Sequence, residues 1–190
     1  MESSRWAQDR GWEAEECDLR LVLEGLQGQL AALLAPAIPL TVSVPEGPLP
    51  IRLSRTAAER AILGLVTAAR RTASRAHWAF LGLDPVVLSR PEAEALGLVP
   101  GGQVALRLGI RIRPRPQAVR LATLAATLSV RIATGLAAAT LLELRRSRRG
   151  ALQVTPVPGA GLLVSLLFQA PETLRLLPSA PSGSSVTTDE

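Results

Sequence analysis

The chain has 190 residues, 47% of them hydrophobic, which suits one domain with a single substantial core. All 21 basic residues are arginine, and the net charge of +5 permits an acidic partner or nucleic acid without demanding either. The lone Cys17 excludes a disulfide framework and a cysteine-based zinc site, and the mixed charges of Glu2, Arg5, Asp9 and Glu13 exclude a signal peptide.

In chain order, residues 1–17 suggest a mobile or weakly helical lead, in which Trp6 and Trp12 either anchor a partner or fold back onto the body. From Asp18, a capping residue, Leu19, Val22, Leu23, Leu26, Leu30 and Leu33 recur at helical spacing until Pro36. Ile38, Leu40, Val42 and Val44 alternate with polar neighbours as a half-buried strand. A turn at Glu46-Gly47-Pro48 leads to a second short strand at Ile51 and Leu53. Thr56-Ala57-Ala58-Glu59 has the form of a capping box and opens a helix with Ile62, Leu65, Val66 and Ala69 on one face. A strand around Ala76–Leu83 follows, then a loop through Pro85, Pro91 and Pro100-Gly101-Gly102.

Val104, Leu106, Leu108, Ile110 and Ile112 give the clearest alternation in the chain, with Arg107, Arg111 and Arg113 facing solvent. Pro114 and Pro116 stop that strand. Gln117 to about Arg148 is mainly helical, broken near Thr134-Gly135. Its apolar run from Leu121 to Leu142 contains Arg131, so it falls short of an uncharged membrane span. Ala151–Thr155 and Leu162–Ala170 form a hairpin around Pro158-Gly159-Ala160-Gly161. Residues 171–190, rich in Ser, Thr and Pro, are expected to be disordered. The sum is an α+β two-layer sandwich: a mixed, mostly antiparallel sheet of about five strands covered on one face by about three helices. A soluble, cytoplasmic protein is expected.

This layout resembles the ATP-binding domain of sensor histidine kinases, within the GHKL ATPase superfamily. Residues 19–73 are similar to its first helix, hairpin and second helix. The stretch EAEALGLVPGGQVALRLG is similar to the approach to its central strand, and ATGLAAATLLELRRSRRGALQVTPVPGAGLLVSLLF to its last helix and final hairpin. The likeness runs in register from about Leu19 to Phe168, which makes 18–170 the domain.

The resemblance implies functional positions that this chain fills with unsuitable residues. The family's second helix carries an asparagine that helps hold Mg²⁺ against the ATP phosphates; here that place falls on Ala68, whose methyl group cannot ligate a hard cation. Gly64 replaces a second frequent asparagine one turn earlier. An aspartate that accepts from the adenine amine is replaced by Gly109 or Ile110. A phosphate-wrapping glycine motif survives as Gly135, with Ala137 where another glycine would allow close backbone approach. The chain contains no asparagine, and no aspartate between Asp84 and Asp189. A hydrogen bond to a charged group contributes about 1.5–3 kcal/mol, and about 1.4 kcal/mol is tenfold in affinity. The implied loss is several orders of magnitude, so no nucleotide, metal or other cofactor is expected.

The family's phosphoacceptor histidine has no counterpart in the residues before the first helix, and the sole histidine, His77, suggests a structural role. Arg145, Arg146, Arg148 and Arg149 cluster at the end of the last helix. They offer either simple complementarity to the helix dipole or a docking patch for an acidic partner. Arg111, Arg113 and Arg115 form a second candidate surface. In the family, the region of Leu121–Leu128 is a mobile ATP lid. Here its composition suggests a fixed helix over the vacated pocket, or an apolar face for another chain, including a second copy.

The expected function is a non-catalytic pseudo-histidine-kinase domain, acting in bacterial two-component signalling by binding a kinase, phosphotransferase or receiver domain. The alternative is a divergent domain that holds ATP through a rearranged, arginine-rich site. Nucleic-acid binding would rest on net charge alone, since no basic stripe is interleaved with aromatics.

Overall fold

The computed structural model describes residues 16–36, 38–73, 76–113 and 117–171. The elements in chain order are β1 (Cys17–Asp18), α1 (Leu19–Leu34), β2 (Leu40–Ser43), β3 (Pro50–Ile51), α2 (Arg55–Thr72) and β4 (Ala76–Leu88). They continue with α3 (Arg90–Leu96), β5 (Gly101–Ile112), α4 (Ala118–Thr134), α5 (Ala138–Arg146), β6 (Gly150–Val157) and β7 (Gly161–Gln169). Residues 1–15 and 172–190, to which most of the lead and tail belong, lie outside the described residues, as do Pro114, Arg115 and Pro116.

Five strands form one sheet in the order β2-β4-β5-β7-β6. Only β2 and β4 are parallel; the other three pairings are antiparallel. β5 is central, and its alternation divides two faces. Val104, Leu106, Leu108, Ile110 and Ile112 enter the main core with Leu162, Val164, Leu166 and Phe168 of β7. Buried faces of α1, α2, α4 and α5 complete that core. On the opposite face a smaller cluster joins Ala93 of α3 to Leu98, Ala105 and Leu167. The architecture is the expected α+β sandwich, with a fifth, short helix on the outer face.

Several local expectations need correction. The second strand does not form a hairpin with the first. β3 instead pairs with β1, Cys17 opposite Ile51, so Cys17 belongs to a strand rather than to the lead. Asp18 explains this: its Oδ1 accepts from the backbone N–H of Arg20 at the start of α1 and from that of Leu49, both at 3.0 Å. One carboxylate thus caps the helix and holds the segment that enters β3. β2 reaches its parallel partner β4 through α2, the kind of crossover that parallel strands require.

β4 also runs further than expected, through Pro85 to Leu88. β2 pairs only with Ala79–Gly82, so beyond that point β4 has β5 as its one strand neighbour. Proline is tolerated on such an edge, where no ladder donor is lost. The segment after it is α3, not loop. Glu92 accepts from the Ser89 N–H at 2.9 Å and from its hydroxyl at 2.6 Å, and these bonds lower the Glu92 pKa. Gly97 ends the helix in the left-handed region, φ 69°. At α1, Leu34 rather than Leu33 is the last fully buried side chain.

The cap of α2 is Ser54, not Thr56. Ser54 is extended, and its hydroxyl accepts from the Ala57 N–H at 3.3 Å. Thr56 lies inside the first turn, and Glu59 meets Arg55 at 2.9 Å instead of returning to a cap. Replacing Ser54 by alanine should cost about 1 kcal/mol in urea unfolding, whereas Thr56→Ala should cost at most about half of that. Equal losses from the two variants would restore Thr56 as the cap.

Candidate functional site

The positions implied for nucleotide binding do not converge on an open cleft. Gly64, in the middle of α2, faces the corner between α4 and α5. A Cβ on Gly64 would lie 2.6 Å from the Ala137 backbone nitrogen and 2.7 Å from the Ala137 Cβ. Ala137 itself is 1% exposed, so the two positions are in van der Waals contact and closed to solvent. Ala68, one turn along α2, is 6% exposed.

The alternation of β5 separates Gly109 from Ile110. Ile110 faces the helices and lines a crevice of about 10 Å³ with Val66, Ala69 and Leu108, room for one water at most. Gly109 lies on the other face, where a Cβ would stand 3.9 Å from that of Phe80. Of the two residues offered for the adenine position, only Ile110 points toward the helices, and it brings no polar atom.

The α4–α5 corner has a local cause. Gly135 follows Thr134 in extended conformation, and a Cβ there would come within 2.7 Å of the Arg131 carbonyl oxygen. The missing side chain lets the chain turn through 91° between the helices. α4 packs inward through Leu121, Ala125, Leu128 and Ile132. Its outward side and the corner leave Val119, Val130 and Leu136 exposed, and α5 adds Leu142. No single helix among the described residues is long and apolar enough to cross a membrane.

The arginine cluster is divided. Arg145 and Arg146 are exposed on the last turn of α5. Arg148 turns away, with φ 57°, and its Nε donates to the Gly97 carbonyl at 3.2 Å, tying α5 to the end of α3. Arg149 is half-buried, and its backbone carbonyl accepts from Gln169 at 2.7 Å. Arg145, Arg146 and Arg148 are exposed, and Arg149 is the one partly withdrawn from solvent. Arg145 borders a groove of about 480 Å³ lined mainly by apolar atoms, among them Leu96 of α3, Ala133 of α4, Leu141 and Leu142 of α5 and Leu152 of β6. Sequence spacing alone did not reveal this groove, because its walls come from four separate elements. Among the described residues, no three His, Cys, Asp or Glu side chains gather as a metal-ligand group.

This is the fold of a histidine-kinase ATP-binding domain. The ATP-binding domain of PrrB from Mycobacterium tuberculosis matches 83% of the chain, over 97% of its own length, with a TM-score of 0.50 and 16% identity. Mycobacterial sensor histidine kinase MprB matches 82% of the chain over 98% of its own, with a TM-score of 0.49 and 13% identity. The Acinetobacter baumannii histidine kinase AdeS matches 82% at a TM-score of 0.49 and 15% identity, and the chain spans 66% of the AdeS chain. No family model matches the sequence, and no curated protein does. At such identities the likeness is one of fold.

Gly64→Ala provides a test of the closed corner. In an unobstructed helix interior this substitution stabilises by about 1 kcal/mol. Here the new methyl group meets backbone atoms, and a loss of about 1–3 kcal/mol is expected in denaturant unfolding. Stabilisation instead would show that α2 and the corner stand further apart.

Proposed function

We propose that this domain has the histidine-kinase ATPase fold without nucleotide chemistry, and that it serves as a protein-interaction module in two-component signalling. The observation that carries the reading is the Gly64–Ala137 contact. Ala137 of the α4–α5 corner packs against α2 at Gly64, where the resemblance implies an asparagine side chain. Ala68 and Ile110 add buried apolar surface and no hydrogen-bonding group. A triphosphate brought into such a site would lose hydration without gaining partners.

Interaction is the use that the remaining surface supports. Four of the seven large apolar side chains exposed among the described residues lie on α4, α5 and their corner: Val119, Val130, Leu136 and Leu142. Of these, Leu142 lines the groove that Arg145 rims, with Arg146 exposed nearby. An apolar centre with a basic edge suits an acidic protein surface, such as that of a receiver domain, a phosphotransferase or a kinase. No catalytic residue is assigned, and the proposed setting is the bacterial cytoplasm.

Titration calorimetry of the full chain with Mg-ATP and Mg-ADP, at about 0.15 M salt, tests this reading. Neither nucleotide should bind more tightly than about 1 mM, and neither should raise the melting temperature. Micromolar binding that depends on Mg²⁺ would overturn the proposal and favour a rearranged nucleotide site.

A further inference from the structure

The outer face of the sheet carries a second constellation, away from the groove. Trp78 and Phe80 stack with centroids 6.2 Å apart and planes at 19°. The Arg111 guanidinium lies over the Trp78 ring at 5.0 Å. Arg107, further along the same strand, is paired with Asp84 at 3.4 Å. Arg111 and Arg113 have no such carboxylate among the described residues. Both line a hollow of about 260 Å³ with His77, Ile112, Gly159 and Ala160.

The walls of this hollow are held by backbone. The Ile112 N–H donates to the Ala160 carbonyl at 3.1 Å, which fixes the β6–β7 turn against the end of β5. Gly161 sits opposite Arg111 in the ladder, and a Cβ there would run into the Ile110 carbonyl oxygen. His77 lines the hollow beside both arginines. Two guanidinium groups without a carboxylate partner among the described residues give the hollow a positive lining.

We infer that this hollow binds a phosphoryl group, carried by a free polyphosphate or a small phosphorylated molecule. Residues two apart on an extended chain are separated by roughly 6.6 Å, so two guanidinium groups can approach one multiply charged anion from neighbouring positions. Guanidinium forks match phosphate oxygens in geometry and charge. Stacking on Trp78 holds Arg111 before the ligand arrives, so less side-chain freedom is lost on binding. A dianion relieves the mutual repulsion of the two arginines better than a single carboxylate. Among the described residues, no acidic side chain lines the hollow. The site faces away from Gly64 and Ala137, so it is independent of the closed cleft.

The test is a calorimetric titration of the full chain with inorganic pyrophosphate at about 20 mM salt, repeated at higher salt. Saturable binding is expected. Arg113→Ala should weaken it by about tenfold or more and flatten its salt dependence. Arg111→Ala should do the same, but that variant also removes the ring contact, which makes Arg113→Ala the decisive one. Arg60→Ala removes the same charge elsewhere, on the exposed side of α2, and should leave binding unchanged. Absence of saturable binding, or equal weakening by Arg60→Ala, would overturn the inference, the latter by showing diffuse attraction. ATP run in parallel keeps the two sites distinct: ATP held here needs Arg113 and gains nothing from Mg²⁺.

Discussion

Gly64 offers no side chain to Ala137, and the seating of the α4–α5 corner on α2 depends on that missing atom. With even a methyl group at position 64 the two backbones could not approach as they do. The corner itself depends on a second glycine, Gly135, which lets the chain pass close to the Arg131 carbonyl. From that corner follow the direction of α5, its packing on β6 and the groove that α3, α4, α5 and β6 enclose. The two absent Cβ atoms therefore close one cleft and create another. Interiors packed near crystal density leave little room for intermediate arrangements.

The sheet then distributes chemistry unequally between its faces. Its inner face is almost wholly apolar and meets four helices. Among the described residues its outer face is covered at one end, by α3, and elsewhere presents Arg107, Arg111, Trp78 and Phe80. Because side chains alternate along a strand, a run such as Leu106 to Ile112 must carry both patterns at once. The arginines that look like a solvated stripe in the sequence have different fates in space. Arg107 is paired, Arg111 is stacked on a ring, and Arg113 is left at the rim of a hollow.

Local signals were legible where one element decides them. The periodicity of α1 and α2, the alternation of β5 and the turn between β6 and β7 all appear where the residue pattern places them. The helix α3 is missed by the residue pattern, which suggests a loop there: Ser89, Pro91, Glu92 and Gly97 are start and stop signals, obscured because only Ala93 is buried. Features set by distant partners were not legible. Nothing near Ile51 announces that Cys17 is its neighbour, and Asp18 looks like a simple cap until Leu49 arrives beside it. The alanines and glycines at the implied nucleotide positions were visible in the sequence. Their contact with one another was not, since Gly64 and Ala137 are far apart in the chain.

On the proposed reading, closing the cleft also changes how the fold is stabilised. A domain that binds nucleotide gains stability with ligand concentration, about 2.7 kcal/mol at a hundred times the dissociation constant. Without ligand, its pocket leaves polar groups and open volume in the middle of the structure. Here the corresponding space is filled by Ala137 against Gly64, with Ala68 and Ile110 buried nearby. Burial of these small apolar groups is intrinsic to the chain and independent of cellular ATP. A module that works by contact alone needs such a constitutively closed form. An exposed binding face with Leu136 and Leu142 is usable only if the corner presenting them stays fixed, and the missing side chain of Gly64 is what lets it sit there.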